Sequence, residues 1–419
     1  MGGPPLGVHP DPQRVHGHRH PGHRPHGAGV LRELAGADGG GPHRRAAQHC
    51  ALPGAAAVVR PGAHRGRGEG VRKVRALVKT GRGEGLVELR EVPEPRPGPG
   101  EVLIEVQAAS VCGSDVHIYH DRHPYWPPVV LGHEFAGVVA EVGPGVEGYR
   151  PGDRVVSETS TGACGRCFLC RTGNRQICPD KRAPGIGRNG AFARYLVMPA
   201  ELLHRIPEGL SFEEAAATEP TAVAVHAVAE RAAVRPGERV VVLGPGPIGL
   251  LCLQVARACG AAWVAVVGTP RSAQRRLPAA KELGGIPIEL GREDPVARVA
   301  ELTEGQGADV VLETSGSPAA VALAPHLVRR LGRVCELGVT GKGEVSFPWD
   351  VALFKGVDVQ FSFSSRHSSW VLALRLLAEG RVRTAPLLDV RLPLSRWREA
   401  FEAVESGQAI KALLYPQEV

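Results

Sequence analysis

The fold of this chain is decided by the stretch "ERVVVLGPGPIGLLCLQVARACG", residues 238–260. An apolar strand pattern runs into a glycine-rich turn, and the turn opens an apolar helix pattern. The alternation continues with the strand patterns "AWVAVVG", "ADVVLETSG" and "GRVCELGV", separated by the helix patterns "RSAQRRLPAAKELGG" and "AAVALAPHLVRRLG". Alternating strands and helices predict an α/β fold with a doubly wound parallel sheet.

Three glycines in the turn, Gly244, Gly246 and Gly249, have the spacing G-x-G-x-x-G. Gly244 suits the tight turn, Gly246 lets a pyrophosphate approach the backbone, and Gly249 lets the helix pack closely on the strand. The spacing alone is a weak signal, but here it follows a strand and opens a helix, which is the required context. The sequence therefore predicts a dinucleotide site at this turn.

The end of the next strand indicates which dinucleotide is bound. An NAD site usually carries an acidic residue there for the ribose hydroxyls, but this chain has Gly268, followed by Thr269 and Arg271. Without the carboxylate a 2′-phosphate is not repelled, and arginine matches phosphate oxygens well. The pattern favours NADP, and NAD remains open because Arg271 is also an ordinary residue for a solvated helix start.

The part of the chain before the glycine-rich turn has a different pattern. From Val74 onward, short segments such as "VRALVKT", "EVLIEVQAASV" and "FAGVVAEVG" predict strands joined by tight turns. Residues 211–233 change to an alanine-rich helical pattern, in which Ser211 and Glu214 have capping-box spacing. The chain closes with amphipathic helix patterns, so a β-rich part precedes the α/β part.

Four of the nine cysteines lie close together, at Cys164, Cys167, Cys170 and Cys178. Four thiolates at this spacing would close the tetrahedral shell of a structural zinc, which leaves no position for chemistry. An iron–sulfur centre and a zinc-ribbon nucleic-acid module are weaker alternatives, because neither spacing matches. The other cysteines are scattered, which indicates free thiols and a cytoplasmic location.

The N-terminal segment, residues 1–73, differs in composition from the rest. Residues 1–75 contain 12 Lys+Arg against 4 Asp+Glu, nine histidines and many Gly and Pro residues, a composition that predicts a disordered extension. A metal-binding or polyanion-binding tail, a targeting segment, and a start site assigned too early, with Val71 or Val74 as the true start, are the alternatives. Because the remainder of the chain is not basic, we expect no nucleic-acid partner, and the apolar run "CALPGAAAVV" is too short for a membrane span.

Two further stretches, "AASVCGSDVHIYH" and "VLGHEFAGVVAEVG", complete a pattern with the cysteine group and the glycine-rich turn. Over about residues 74–419 the sequence resembles the zinc-dependent medium-chain dehydrogenase/reductase family, in its sorbitol (polyol) and threonine dehydrogenase branch. The resemblance implies a β-rich, GroES-like catalytic domain formed by residues 76–221 and 362–419. It also implies a Rossmann dinucleotide-binding domain at residues 222–361.

The resemblance also implies a catalytic zinc held by Cys112 and His133, with Glu134 and Glu219 as further ligands or nearby carboxylates. Thiolate, imidazole and carboxylate groups are all suitable zinc ligands. Glu219 stands where family members that act on simple alcohols carry a second cysteine, which favours a polyhydroxy or amino-alcohol substrate. Asp115 is expected to orient a ligand imidazole.

By the same resemblance the protein is a dehydrogenase that moves a hydride between a secondary alcohol and NADP or NAD, with two zinc ions per chain. Ser114 and His117 would carry the hydroxyl proton to water. Ser365, Arg366 and His367 occupy the stretch where polyol dehydrogenases contact substrate, and they do not match that pattern. Family members are usually homodimers or homotetramers. The alternatives are a non-enzymatic zinc protein with a polyanion-binding arm and a zinc-independent reductase of the same superfamily.

Overall fold

The computed structural model describes residues 72–418. Residues 1–71 of the predicted extension lie outside the described residues. Its last residue, Lys73, already begins a strand. The strands are β1 (Lys73–Lys79), β2 (Val87–Pro93), β3 (Glu101–Ser110), β4 (Val129–Val130), β5 (Glu134–Val142), β6 (Arg154–Ser157), β7 (Tyr195–Pro199), β8 (Leu203–Arg205), β9 (Arg239–Leu243), β10 (Trp263–Gly268), β11 (Ile286–Glu289), β12 (Ala308–Glu313), β13 (Val328–Glu336), β14 (Asp358–Phe361), β15 (Leu388–Pro393) and β16 (Lys411–Tyr415).

The helices lie between these strands and near the end of the chain. They are α1 (Gly113–Tyr119), α2 (Phe168–Arg171), α3 (Phe212–Ala216), α4 (Thr218–Val225), α5 (Pro247–Ala258), α6 (Arg276–Glu282), α7 (Pro295–Leu302), α8 (Pro318–Leu327), α9 (Trp349–Lys355), α10 (His367–Ala378) and α11 (Trp397–Ser406). Within residues 72–418, no helix has both the length and the apolar character needed to cross a bilayer.

The predicted parallel sheet is present. Its six strands run in the order β11-β10-β9-β12-β13-β14, and every neighbouring pair is parallel. All residues of β12 are buried, as expected for a parallel strand covered by helices on both faces. The chain moves outward from β9 through β10 and β11, then returns to the other side at β12. The crevice at the carboxyl ends of β9 and β12 is therefore the place where such sheets bind ligands.

A second, mainly antiparallel sheet brings together distant parts of the chain. Its order is β15-β16-β3-β5-β6-β8, with β7 on β3, and a separate three-stranded sheet has the order β2-β1-β4. Because β15 and β16 come after the parallel sheet in sequence, the chain returns to the β-rich part. Ser110 pairs with Glu134 in the register of β3 and β5, so the end of one strand meets the start of the other.

Two of the predicted helices end or break earlier than expected. The pattern "AAVALAPHLVRRLG" predicts a helix to Gly332, but α8 ends at Leu327 and β13 begins at Val328. Pro325 disfavours further helical turns, and Val328 pairs with Ala308 in the sheet.

The helical pattern of residues 211–233 is also interrupted. The predicted capping box between Ser211 and Glu214 is confirmed. The helix then stops at Ala217 and restarts as α4, which continues into a π-helical segment, His226–Arg231. Pro220 explains the break, because it lacks an N–H and its ring would collide with the carbonyl of the preceding turn.

Asp309 ties three strands of the parallel sheet together. Its carboxylate accepts hydrogen bonds from Arg239 on β9 and from Arg329 on β13. Burial opposes ionisation of Asp309, but these hydrogen bonds prevail and hold its pKa at about 2. The ionised carboxylate therefore stabilises the fold above its unfolded pKa, and this contribution is lost as pH falls through about 4 towards 2.

We expect Asp309→Asn to lower the free energy of unfolding at pH 7 by about 1–2 kcal/mol, after allowance for solvent screening. The difference from wild type should be constant down to about pH 5 and shrink below pH 4. Urea unfolding of both proteins at a series of pH values measures this. Asp358→Asn, at an exposed position, is the control. A difference that grows on acidification would contradict the assignment.

Candidate metal centres and nucleotide site

Cys112, His133 and Glu134 form a compact group at the junction of β3, α1 and β5. Their possible ligand atoms all lie within 4.8 Å of one another. Gly132 has φ +91°, and a side chain there would come within 2.6 Å of the Phe192 ring, so only glycine permits this approach to His133. The thiolate, imidazole and carboxylate form a donor set that fits zinc.

Asp115 contacts both Cys112 and His133 and holds them in place. It is fully buried, and its Oδ2 accepts a hydrogen bond of 2.9 Å from the backbone N–H of Cys112. Its Oδ1 lies 3.5 Å from Nδ1 of His133, which leaves Nε2 of the ring for a metal. Neither Asp115 Oδ1 nor His133 Nδ1 has another partner among the described residues. A carboxylate behind a ligand imidazole is the usual support of a metal histidine.

Glu134 is paired with a lysine that the sequence analysis did not identify. Lys411 Nζ lies 2.5 Å from Glu134 Oε2, and both side chains are at most 2% exposed. Ser110 also donates a hydrogen bond to Glu134. A cationic group therefore contacts a predicted metal ligand from inside the protein. A lone lysine in the apolar strand "IKALLY" was the signal available in the sequence.

The fourth predicted ligand, Glu219, lies beside this group rather than within it. It is not among the residues whose ligand atoms lie within 4.8 Å of one another. Burial raises the pKa of Glu219 to about 7, while the charge of His133 lowers it and the charge of Glu134 raises it. Glu219 is thus a carboxylate near the centre that can take up a proton close to neutral pH.

Ser114 and His117 lie on consecutive turns of α1. Ser114 Oγ is 3.8 Å from Cys112 Sγ, so the hydroxyl adjoins the metal group. His117 lies towards the surface, where partial burial lowers its pKa, assisted by Arg122 and His120. A neutral imidazole at neutral pH can accept a proton. The positions of Ser114 and His117 on α1 are compatible with a proton route from the metal group to the surface.

The four clustered cysteines form a second metal group. Their sulfur atoms lie within 4.8 Å of one another, with separations of 4.0 Å for Cys164 and Cys170, 3.9 Å for Cys167 and Cys178, and 3.8 Å for Cys178 and Cys164. A tetrahedral zinc with Zn–S bonds of about 2.3 Å requires sulfurs about 3.8 Å apart. The group fits a zinc with no free coordination position.

The glycine-rich turn joins β9 to α5, as predicted. Gly244 has φ +102°, and a Cβ on Gly249 would come within 1.9 Å of the carbonyl oxygen of Gly244. A Cβ on Gly246 would meet nothing within 4 Å. The space above Gly246 at the helix N-terminus is therefore open to a phosphate.

This contrast predicts different effects for two alanine substitutions. Gly249→Ala should destabilise the fold, because its methyl group overlaps the Gly244 carbonyl. Gly246→Ala should leave the melting temperature unchanged and weaken dinucleotide binding about tenfold or more, since a phosphate loses close contact with the backbone. Thermal unfolding and calorimetric titration measure the two effects, and Gly343→Ala, at an open loop position without a positive φ, tests for a general effect of removing a glycine. Equal losses of stability in the two variants would contradict this reading.

Gly268, Thr269 and Arg271, the predicted cofactor residues at the end of β10, differ in their surroundings. A Cβ on Gly268 would lie 2.9 Å from Pro245 and 3.0 Å from Leu277, so a side chain here would require these neighbours to shift. Thr269 precedes a short helical turn. Arg271 donates hydrogen bonds to the carbonyl oxygens of Glu405 and Ser406 at the end of α11. Part of its guanidinium is therefore already engaged with the protein.

Comparisons with known proteins agree with this geometry. Residues 98–208 match the model of the alcohol dehydrogenase GroES-like domain, and residues 247–379 match the model of zinc-binding dehydrogenases. A sorbitol dehydrogenase of Halalkalibacterium halodurans is 41% identical, over 82% of this chain and 99% of the relative. An L-threonine 3-dehydrogenase of Pyrococcus abyssi is 38% identical, over 81% of this chain and 98% of the relative.

A solved structure gives the same result. A zinc-binding dehydrogenase of Sinorhizobium meliloti bound to NADP has a TM-score of 0.76 and 32% identity, with coverage of 82% of this chain and 100% of that one. The chain belongs to the zinc-type medium-chain alcohol dehydrogenase family. It is an oxidoreductase that acts on an alcohol and uses zinc and a nicotinamide cofactor. The predicted family and fold class are confirmed, and the non-enzymatic alternative is wrong.

Proposed function

We propose that the protein transfers a hydride between a secondary alcohol of a polyol, sugar-like or amino-alcohol substrate and NADP or NAD. The observation that carries the proposal is the carboxylate of Glu219 beside the Cys112, His133 and Glu134 group. Family members that act on simple alcohols have a second cysteine at this position. A carboxylate there can accept hydrogen bonds from further hydroxyl or amino groups of a substrate. The relatives named as sorbitol and threonine dehydrogenases have substrates of these kinds.

Lys181 adds to the polar character of this region. Burial lowers the pKa of Lys181 to about 8, and the charges of Glu219 and Glu158 oppose this shift. Its Nζ donates a hydrogen bond of 3.1 Å to Ser364 Oγ. A half-buried ammonium group and a buried carboxylate near one another provide donors and an acceptor for a substrate with several polar groups.

The residues have separate roles in the proposed reaction. Cys112, His133 and Glu134 would hold a zinc ion, with Glu219 as a further ligand or nearby base, and the zinc would polarise the substrate oxygen. Asp115 fixes the orientation of His133. Ser114 Oγ would take up the hydroxyl proton and pass on its own, and His117 would accept a proton near the surface. Gly244, Gly246 and Gly249 would hold the nucleotide, which would supply the hydride acceptor or donor.

We further propose two zinc ions per chain, one at each group, and a preference for NADP. The sulfur separations support the structural zinc, and glycine at position 268 supports NADP because no carboxylate is present there to repel a 2′-phosphate. Thr269 and Arg271 are the proposed phosphate contacts, for which Arg271 would have to leave the end of α11. The division into residues 76–221 with 362–419 and residues 222–361 is the proposed domain arrangement. Free thiols in the described residues favour the cytoplasm.

The direct test is a nicotinamide absorbance assay on zinc-loaded protein, with NAD and NADP in parallel, against polyols, aldoses, threonine and cyclic amino alcohols. We expect one class to respond strongly, with a higher kcat/KM for NADP. Metal analysis should give at least two zinc ions per chain, one at each of these two groups. Activity on simple primary alcohols alone would contradict the substrate class, and one zinc, bound only by the four cysteines, would indicate a zinc-independent reductase.

We also propose that the protein is a homo-oligomer assembled through the edge of the parallel sheet. β14 is the edge strand, and its Phe361 is 73% exposed. On the preceding helix α9, Trp349 and Phe354 are 72% and 71% exposed. Exposed aromatic residues beside an open strand edge are typical of a surface that binds another chain.

We expect Phe361→Asp to convert the oligomer into a smaller species, because a charge at the interface would lose its water without gaining a partner. Light scattering coupled to gel filtration measures the mass. Val371→Asp introduces the same charge at an exposed apolar position on α10 and should leave the mass unchanged. A wild-type monomer, or equal masses for all three proteins, would contradict this interface.

A further inference from the structure

A third group of metal-binding side chains, Glu158, His204 and His367, lies apart from the two groups described above. The possible ligand atoms of the three residues lie within 4.8 Å of one another. His204 Nε2 is 3.0 Å from Glu158 Oε1, and His367 Nδ1 is 2.7 Å from the same oxygen. Two imidazole nitrogens thus converge on one carboxylate oxygen.

Two members of the group are held firmly by the fold. Glu158 directly follows β6, and its side chain is only 6% exposed. His204 lies on β8, and its ring stacks on Trp370, with centroids 5.7 Å apart and an angle of 6° between the planes. Trp370 is itself fixed by a hydrogen bond of 3.0 Å to Ser365. The position of His204 is therefore determined before any ligand binds.

The third member is accessible. His367 begins α10, and its side chain is 70% exposed. It can therefore shift by a few tenths of an ångström at little cost. The group consequently combines a rigid carboxylate and imidazole with one adjustable imidazole at the surface.

A cavity of about 140 Å³ adjoins the group and is lined by Glu158 and His367. Gln176 also lines this cavity, and only 4% of its surface is exposed. Gln176 Oε1 has no hydrogen-bond partner among the described residues, and the same is true of Nε of Arg366. Buried polar atoms without partners indicate that a polar ligand or ordered water belongs in this space.

We propose that Glu158, His204 and His367 form a third metal site, which takes a divalent ion of the zinc class with its remaining positions open to this cavity. Two imidazoles and one carboxylate are ligands that Zn²⁺, Co²⁺ and Ni²⁺ accept. An ion about 2.0–2.1 Å from each donor would place the donors about 3.3 Å apart. The observed distances of 3.0 Å and 2.7 Å need only a small outward movement. Water held by the ion would supply partners for Gln176.

The ion would connect segments that are far apart in sequence. Glu158 directly follows β6, His204 lies on β8 of the same antiparallel sheet, and His367 belongs to the first turn of α10. Binding would fasten that turn to the sheet. The site does not depend on the dehydrogenase activity, so the two proposals can fail separately.

The test uses the variant His367→Asn in the full chain. The amide nitrogen of asparagine can replace Nδ1 as a hydrogen-bond donor to Glu158, but an amide is a poor ligand for zinc. His326→Asn removes an exposed histidine on α8 and is the matched control. All of these proteins carry the same histidines in residues 1–71, so any zinc bound there is the same in each. Zinc binding is measured by calorimetry, and the ion is located by anomalous scattering from crystals of zinc-loaded protein.

We expect wild type and His326→Asn to bind one more zinc than His367→Asn, with an anomalous peak about 2.1 Å from Glu158 Oε1. Zinc should also raise the melting temperature of wild type more than that of His367→Asn. Equal zinc binding by the two variants, with no peak beside Glu158, would overturn the proposal and leave a hydrogen-bonded group only. Peaks at the other two metal groups report on the proposed function independently.

Discussion

Replacing Cys112 with serine should lower kcat/KM by about 10³-fold or more on the substrate that the wild-type protein prefers. A serine hydroxyl is a much weaker zinc ligand than a thiolate, so the ion would be lost from the group that Cys112 shares with His133 and Glu134. A metal supplies several kcal/mol of charge stabilisation to such a reaction, and each 1.36 kcal/mol corresponds to a factor of ten in rate. Steady-state kinetics and metal analysis of the same preparation measure the two effects.

Zinc content should fall by one ion per chain, while the four-cysteine group keeps its ion. Cys259→Ser is the control, because Cys259 is half-buried at the end of α5 and lies outside the metal groups. It should retain both zinc and activity. A Cys112→Ser protein that kept wild-type kcat/KM would show that the chemistry lies elsewhere in the chain.

The clustering of the four cysteines and the parallel sheet could be predicted because their signals are local. The four cysteines lie within fifteen residues, from Cys164 to Cys178, and a zinc shell limits how such thiols can be arranged. The glycine-rich turn could be predicted for the same reason. A tight turn between a strand and a helix leaves few residue types possible at Gly244 and Gly249.

Features that depend on contacts between distant segments could not be predicted. Arg271 donates hydrogen bonds to carbonyl oxygens more than 130 residues further along the chain, and no local pattern indicates these contacts. Glu158, His204 and His367 are likewise separated by long stretches of sequence and meet only when α10 packs near the sheet. The predicted end of α8 was wrong for a related reason, because Val328 pairs with a neighbouring strand although the local apolar period favours a helix.

Lys411 is the most consequential residue that sequence reasoning missed, and its replacement should have a large effect on stability. Lys411→Met leaves the Glu134 carboxylate buried without its cation, and breaking a buried ion pair on one side costs about 3–5 kcal/mol. Methionine has a similar length and no charge, so packing is largely preserved. Urea unfolding at pH 7 and constant zinc concentration measures the loss, and Lys411→Arg, which keeps the charge, should lose less.

The double variant Glu134→Gln with Lys411→Met separates the ion pair from packing at Lys411. If the loss comes from the unpaired carboxylate, neutralising Glu134 should restore part of the stability, so the double variant should be more stable than Lys411→Met alone. It should remain less active than wild type, because glutamine is a weaker metal ligand than glutamate. If the losses of the two single variants simply added, Lys411 would stabilise the strand through packing and would not hold Glu134 at the metal centre.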